Sequence, residues 1–570
     1  MKKLFNSGYF YFGVFLLLLL FCFRSLFVDF GRNLVDWFDY PYIIWAMYQN
    51  IGHLKNLDLV NFFNTNTFYP FTNTLLFSDT FLPQTIIALP FSFFIKNTVM
   101  VFNISFLINF VLNYIALYFF WKCIFKNKLT AFLGSIFFIF SPFFYTQFGH
   151  FQMLTYWPFF FSLYFLLRKS DHLVKNSIIS GLFLALQFLA SVYLSVFLLC
   201  TICIWTLVDF FYSKKSKVLL KILLILLTFF ILDGVFIKSY VDVQKQYQVT
   251  RDIHEYILYS AHLSDYVFTS SIRSVLHQSK LLTLWNKSDK HVVGERGQFI
   301  GFLFFILFIL GAFGFNKIKS KKFFSFELNK YSIFSTLILI IGLVFSLGPR
   351  LNFNGVYVHI PLPYSFLLKY VPFFDSIRAL ARWSFLVYLG VLYFCLLYLN
   401  KLITVKKSRV LIGLIFMFFL IEYFPKNITS SSKVYMTNDY TYLKSNCNNK
   451  VLIEIPYIHL FGVRGNIVDG LGYMTTILLS SLEHSCSLVN GHGGYDLPEN
   501  MDMFKRLNED VANIDYDQFL SELNVRNVSF IKFNKEFIVD EDKLIYQQMF
   551  DTLIKEKKIK NVSENIYQIN

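Results

Sequence analysis

Residues 8–27 read GYFYFGVFLLLLLFCFRSLF, and residues 31–45, just beyond them, read GRNLVDWFDYPYIIW. The first stretch is long and apolar enough to cross a hydrocarbon core of ~30 Å as one helix. It follows Lys2-Lys3 and has no small-residue cleavage site, so it reads as a retained first span rather than a signal peptide. The second stretch places two carboxylates, Asp36 and Asp39, immediately after that span. Together they point to a membrane protein with chemistry at its surface.

Working outward, apolar runs of about 17 to 25 residues recur through the first three quarters of the chain. Of the 570 residues, 55% are hydrophobic and 15% charged, with Phe at 74 positions, and the mean hydropathy is +0.50. That balance excludes a soluble globular enzyme. A net charge of +16 would suggest nucleic acid in a soluble chain. Here many of the Lys and Arg residues fall in short connections between apolar runs, where they set topology. Nucleic acid is therefore set aside as a partner, and the lipid bilayer is expected.

Six basic clusters separate the runs: Lys2-Lys3; Lys122, Lys126 and Lys128; Arg168, Lys169 and Lys175; Lys214, Lys215 and Lys217; Lys317, Lys319, Lys321 and Lys322; and Lys406, Lys407 and Arg409. Placing all of them in the cytoplasm gives about 11 spans, near 8–27, 99–121, 129–146, 153–168, 176–190, 192–211, 219–239, 298–316, 331–348, 382–400 and 410–425. The N-terminus is then cytoplasmic and the C-terminus extracytoplasmic, across the cytoplasmic (inner) membrane. Residues 81–96, with Pro83 and Pro90, read as an interfacial helix. The outside loops are 28–98, 147–152, 240–297 and 349–381. Residues 427–570 change composition, with strand-like runs at Val451–Ile455, Ser487–Val489 and Val528–Phe533 between helical stretches near 498–508, 516–524 and 543–557. The expected fold is an α-helical polytopic membrane domain, 1–426, with an extracytoplasmic α/β domain, 427–570. Among seven Cys residues, only Cys447 and Cys486 are placed to pair.

Ionisable residues beside a membrane are costly unless paired or wet, so their gathering on one side is a functional sign. Asp36 and Asp39, at i,i+3, face one way if their stretch is helical. Such a pair can hold a divalent cation (Mg or Mn), or one carboxylate can raise the other's pKa into the range of a general base. Equally, it can merely mark an interface. Asp79 is a third acid, or a helix cap. The loop Gln147-Phe-Gly-His150-Phe-Gln152 offers one His and two Gln. In the third loop Arg251 and Glu255 stand at i,i+4, the spacing of a helix-surface salt bridge, and the loop ends near Glu295-Arg296. In the fourth, Arg378 and Arg382 share the i,i+4 spacing at the mouth of a span. Like charges one turn apart repel, which an anion between them would relieve, and Arg suits bidentate phosphate recognition. Headgroup snorkelling is the alternative. No Walker A loop, GxGxxG, HExxH or GxSxG is present, and mid-span charges are few, Asp233 standing almost alone.

The order Asp39…Trp45, Phe68-Tyr69-Pro70…Asn73-Thr74-Leu75…Ser78-Asp79, His150-Phe-Gln152, Arg251…Tyr259-Ser260-Ala261, Pro372…Asp375…Arg378…Arg382 and Val489-Asn490-Gly491 resembles the GT-C class of integral-membrane glycosyltransferases, above all its uncharacterised bacterial members. The likeness runs over nearly the whole chain. It implies transfer of a sugar from a polyprenyl-phosphate donor to a glycan, lipid or protein acceptor outside the membrane, with inversion. It further implies Asp39 as general base, with Asp36 or Asp79 orienting it or holding a metal, and Arg378, Arg382 and Arg251 at the lipid phosphate. Tyr69, His150, Gln152, Glu255 and Tyr259 would line the substrate site. The spacing Asp-x-x-Asp departs from the adjacent or x-separated acids of many class members. The Asn490-Gly-His492-Gly-Gly494 run is either a plain Gly-rich turn or a reach toward the site. A glycan polymerase and a lipid-linked glycan flippase are the rival readings.

Overall fold

The computed structural model describes residues 8–37, 39–168, 172–248, 251–266, 295, 297–313, 326–353, 356–371, 374–405, 408–423, 428, 440–457, 470–484, 486–495, 497–538 and 540–570. Lys2-Lys3, Lys169, the basic cluster at 317–322, Lys406-Lys407, Arg296 and Pro372 lie outside the described residues. The elements of the first part are α1 (Gly8–Cys22), α2 (Tyr40–Asn56), α3 (Leu82–Ser92), α4 (Thr98–Phe125), α5 (Lys128–Ile139), α6 (Pro142–Thr146), α7 (Trp157–Leu167), α8 (Leu173–Ala190), α9 (Val192–Ser213), α10 (Lys217–Gln246), α11 (Ile253–Leu258), α12 (Phe302–Phe313) and α13 (Phe326–Ser346). A hairpin of β1 (Arg350–Phe353) and β2 (Val356–Pro361) follows, then α14 (Pro363–Tyr370), α15 (Ser384–Thr404) and α16 (Arg409–Tyr423). The remainder holds α17 (Tyr440–Asn446), β3 (Val451–Ile455), α18 (Gly470–Ser480), β4 (Ser487–Leu488), α19 (Pro498–Ala512), α20 (Tyr516–Val525), β5 (Val528–Phe533), α21 (Asp540–Lys555), β6 (Ile559–Ser563) and β7 (Ile566–Ile569).

Among the described residues, each apolar run expected to span contains a helix. Six helical stretches among the described residues are long and apolar enough to cross a membrane, and α1, α7, α12 and residues 330–346 of α13 are shorter apolar helices. The chain is a multi-pass membrane protein. The run expected from 153 becomes helical only at Trp157, with Pro158 in the first turn.

The chain forms two compact units, one of residues 1–28, 106–236 and 250–429, the other of 29–105, 237–249 and 430–570. The second gathers residues 29–105 with the α/β part.

In the first unit α13 and α15 lie backbone to backbone. A methyl on Gly342 would meet Leu386 Cβ at 2.9 Å, and one on Gly390 would meet Leu339 Cβ at 2.7 Å. Small residues permit this approach where no hydrophobic effect drives helices together. Buried amides pin the turn before α7. Asn109 and Asn113 both donate to the Leu154 carbonyl, Asn113 accepts from the Tyr156 N–H, and Gln187 bridges Thr155 to Phe159. Each of these bonds is buried, where leaving a backbone group unmet would cost ~1–3 kcal/mol.

In the second unit the strand order is β4-β3-β5-β7-β6, with β4, β3 and β5 parallel and β7 and β6 antiparallel. All five residues of β3 are buried, as a parallel strand covered on both faces requires. One face packs on Met503, Phe504 and Leu507 of α19, Phe519 and Leu523 of α20 and Met549 and Phe550 of α21. The other packs on Leu443 of α17 and Tyr473 and Ile477 of α18. Cys447 and Cys486 are disulfide-bonded beneath that second face, their Cα atoms 4.8 Å apart.

Candidate functional site

The acids after the first span belong to the second unit. The stretch before Tyr40 is not helical: α2 begins there, with Pro41 in its first turn and Asp39 at the N-cap position. The helical face that would align Asp36 and Asp39 therefore does not form. Instead the Asp39 backbone N–H donates to Asp36 Oδ2 at 2.9 Å. Asp36 thus fixes the backbone that carries Asp39, a local bond that competes with helix. Asp79 lies nearby in electrostatic terms. The buried Tyr42 phenol is pushed up by burial and then by both Asp79 and Asp39, so both carboxylates act on one side chain. No group of three potential metal ligands among the described residues includes Asp36, Asp39 or Asp79, and one Asp36 oxygen already serves the Asp39 N–H.

The Gly-rich turn reaches this region. The His492 ring stands edge-on to Tyr42, centroids 5.5 Å apart. Phe68 and Phe77 pack against the turn so closely that a methyl on Gly491 would meet Phe68 Cγ at 2.3 Å. Residues 66–69 run along β4: Leu488 N–H donates to the Asn66 carbonyl at 2.7 Å, Tyr69 N–H to the Leu488 carbonyl at 3.0 Å and Phe68 N–H to the Asn490 carbonyl at 3.1 Å. Tyr69 itself packs against the core of the α/β sheet, and its carbonyl accepts from Arg526.

The first unit holds the second cluster, centred on Glu295. Arg382 Nε donates to Glu295 Oε1 at 3.1 Å and Oε2 at 3.2 Å, and Nη2 donates to Oε1 at 2.5 Å. His150 Nε2 lies 3.0 Å from Oε1 and Gln147 Nε2 donates to Oε2 at 2.9 Å. Burial alone would raise the Glu295 carboxyl, but Arg382 and then His150 hold it well below the usual carboxylate range. The carboxamide oxygens of Gln147, Gln152 and Gln298 are buried and meet no hydrogen-bond donor among the described residues. Three acceptors without donors suit a hydroxyl-rich ligand or water.

Arg378 and Arg382 do not share one helix. Residues 377–379 are irregular and a short 3-10 turn carries 380–383, so the i,i+4 stacking of two guanidinium groups is absent. Tyr193 takes the irregular backbone, accepting from the N–H groups of Arg378 and Ala379. The Arg382 guanidinium lies over the Tyr193 ring at 4.7 Å and that of Arg378 over the Tyr259 ring at 4.9 Å. Tyr259 also accepts from the Ala381 N–H. Arg251 is paired with Glu255 at 3.2 Å, as the spacing suggested.

Sequence reasoning missed Glu295 and Tyr193 as site members. Glu295 reads only as the end of a loop, and its partner Arg382 is 87 residues away. Tyr193 reads as one more aromatic at the head of a span.

No curated protein matches the chain. Its structure is similar to the cryo-EM structure of the arabinofuranosyltransferase AftD from Mycobacteria, with a TM-score of 0.53 at 11% sequence identity, over 94% of this chain and 36% of that one. The chain thus spans about a third of that protein's length, and the likeness shows a shared fold, the GT-C fold expected from the motifs. Residues 10–422 match a domain of unknown function, DUF6311, and by that match the chain belongs to the DUF6311 family.

Proposed function

We propose that this protein is an inverting membrane glycosyltransferase of the cytoplasmic membrane, drawing its sugar from a polyprenyl-phosphate donor and acting on a glycan, lipid or protein acceptor on the outer side. The observation that carries the reading is the assembly around α2: Asp39 at the head of the helix, its backbone tied by Asp36, with Asp79 and His492 beside Tyr42. Asp39 takes the proton from the acceptor hydroxyl. The acceptor oxygen bonds to the anomeric carbon from the face opposite the phosphate, and the bond from that carbon to the phosphate oxygen breaks. The released polyprenyl phosphate keeps the electron pair and gains a negative charge. Arg378, with Arg251, meets that charge, where a fixed cation contributes most in a site shielded from water. Arg382 is held by Glu295, so its part is to set the local backbone and present its remaining N–H groups. The buried amide oxygens of Gln147, Gln152 and Gln298 accept from sugar hydroxyls, beside Tyr259, Glu255 and His150. No step is routed through a metal.

The test is turnover of the purified protein in nanodiscs with a panel of radiolabelled polyprenyl-phosphate sugars. One donor is expected to release free polyprenyl phosphate, with Asp39→Asn at least about 100-fold slower and donor binding retained. Full turnover in Asp39→Asn removes the base assignment. Transbilayer movement of a lipid-linked glycan without any cleavage points to the flippase instead.

A further inference from the structure

A polar cavity of about 280 Å³ lies within the first unit at the other ends of the helices that carry Tyr193 and the 147–156 turn. On α9 the step from Tyr193 to Asp209 is about 24 Å at 1.5 Å per residue. This end carries the basic connections, which positive-inside reasoning assigns to the cytoplasm. The cavity is lined by three cations, Arg168, Lys221 and Lys330, against one carboxylate, Asp209. Asp209 is engaged by Lys330 at 2.5 Å, and Lys330 also lies over the Trp205 ring at 4.2 Å. Lys221 comes no nearer to Asp209 than 3.7 Å, beyond hydrogen-bond length. The Arg168 guanidinium meets no carboxylate among the described residues and lies 5.9 Å from the Tyr164 ring. The polar first turn of α8, with Asn176 and Ser177, completes the lining.

The cavity shares Leu173 with an open, largely apolar groove along the outer side of α8, where Val174 and Ile178 are 51% and 44% exposed and Lys175 stands at the rim. A small cationic chamber that shares a wall residue with an apolar groove suits an amphiphile with an anionic head.

We infer that this cavity binds a phosphate ester, carried by an anionic phospholipid whose headgroup enters the chamber and whose acyl chain lies along α8. Its volume lies just below the ~300–1,000 Å³ range of drug-sized small-molecule sites and suits a phosphate with a glycerol. The cations of such a site act as point charges and forks on the phosphate oxygens. The site is separate from the residues proposed for sugar transfer and does not depend on that reading.

Native mass spectrometry of the delipidated full-length protein, titrated with phosphatidylglycerol or phosphatidylcholine, tests this. Wild type is expected to bind phosphatidylglycerol at least about fivefold more tightly, and Arg168→Gln and Lys221→Gln each to lose about fivefold, the worth of one basic side chain near an anionic lipid. Neither substitution removes the Lys330–Asp209 pair, and an unchanged thermal midpoint checks that each variant is folded. Titration with glycerol phosphate separates the sources. Weaker binding than phosphatidylglycerol supports the lipid, and equal binding overturns the lipid and leaves a soluble phosphate ester. Equal affinity for both lipids in wild type, or no loss in either variant, overturns the site altogether.

Discussion

Replacing Arg382 by Met keeps most of its volume and removes the charge that faces Glu295. Both side chains are nearly buried, 6% and 8% exposed. Two unit charges about 4 Å apart interact by about 4 kcal/mol at an effective dielectric constant near 20, within the ~3–5 kcal/mol by which breaking a buried pair destabilises a protein. The apparent midpoint of thermal unfolding, followed by tryptophan fluorescence in nanodiscs, should fall by on the order of 5–10 °C at pH 8. The sign with pH is set by Glu295. In wild type its folded pKa is depressed, so its contribution is complete above the unfolded value of 4.5 and is lost only as pH falls further, through the folded value. In Arg382→Met burial acts unopposed by that guanidinium, with only His150 still lowering the carboxyl, so Glu295 takes up its proton at a higher pH than in wild type. The penalty should therefore shrink from pH 8 to pH 5, by up to about 1.4 kcal/mol per unit while the group titrates. Arg382→Met combined with Glu295→Gln should recover most of the loss, since a neutral pair leaves no charge uncompensated. A penalty under about 1 kcal/mol at every pH, or a double variant less stable than Arg382→Met, would refute the claim that this pair organises the cluster.

Three further outcomes follow from the second unit. Gly491→Ala forces a methyl into Phe68 and should cost about 1–3 kcal/mol, read as faster proteolysis of residues 66–77, and an unchanged rate would contradict the packing. Joining Cys447 to Cys486 closes a loop of 39 residues, worth about 4 kcal/mol in the chain-entropy account. Cys447→Ser with Cys486→Ser should lower the midpoint accordingly, whereas labelling of both thiols in unfolded, unreduced wild type would show that no bond exists. His484 is pushed down to about 4, by burial first and Lys532 second. The unfolded chain therefore takes up a proton below about pH 6.5 that the folded domain refuses, and stability falls by on the order of 3 kcal/mol between pH 6.5 and 4. Hydrogen exchange of β3 and β5, corrected for intrinsic rates, should register this loss, and His484→Phe should remove it.

The helical part of the fold was legible because spans are written in long apolar runs, and Lys and Arg punctuate them. The three parallel strands were legible as short β-branched and aromatic runs, whereas β1 (RLNF) and β6 (IKNVS) carry more polar sequence and escaped, and β2 (VYVHIP) and β7 (IYQI) escaped although their sequence is as strand-like as that of β5. For the candidate site the residue types could be named from sequence, but not their arrangement. Spacing predicts neighbours only within one regular element. Asp36 bonds the backbone ahead of α2, and Tyr193 holds residues 378–379 in irregular form, so both i,i+n alignments dissolve. Glu295 shows the other limit, since its hydrogen-bond partners lie in loops far apart in the chain and no local pattern announces them.

The pairing of residues 66–69 with β4 also has a consequence for how the protein is made. Asn66 donates to the Ser481 carbonyl, 415 residues later in the chain. At about 5–20 residues per second, translation of the intervening sequence takes roughly 20–80 s. Through that interval the acid-bearing loop has no strand edge to lie along. When β4 arrives, it meets a waiting edge-cover, and the rim of the sheet never faces a neighbouring molecule bare. An α/β part produced alone from residue 430 onward would lack this cover and should self-associate through β4.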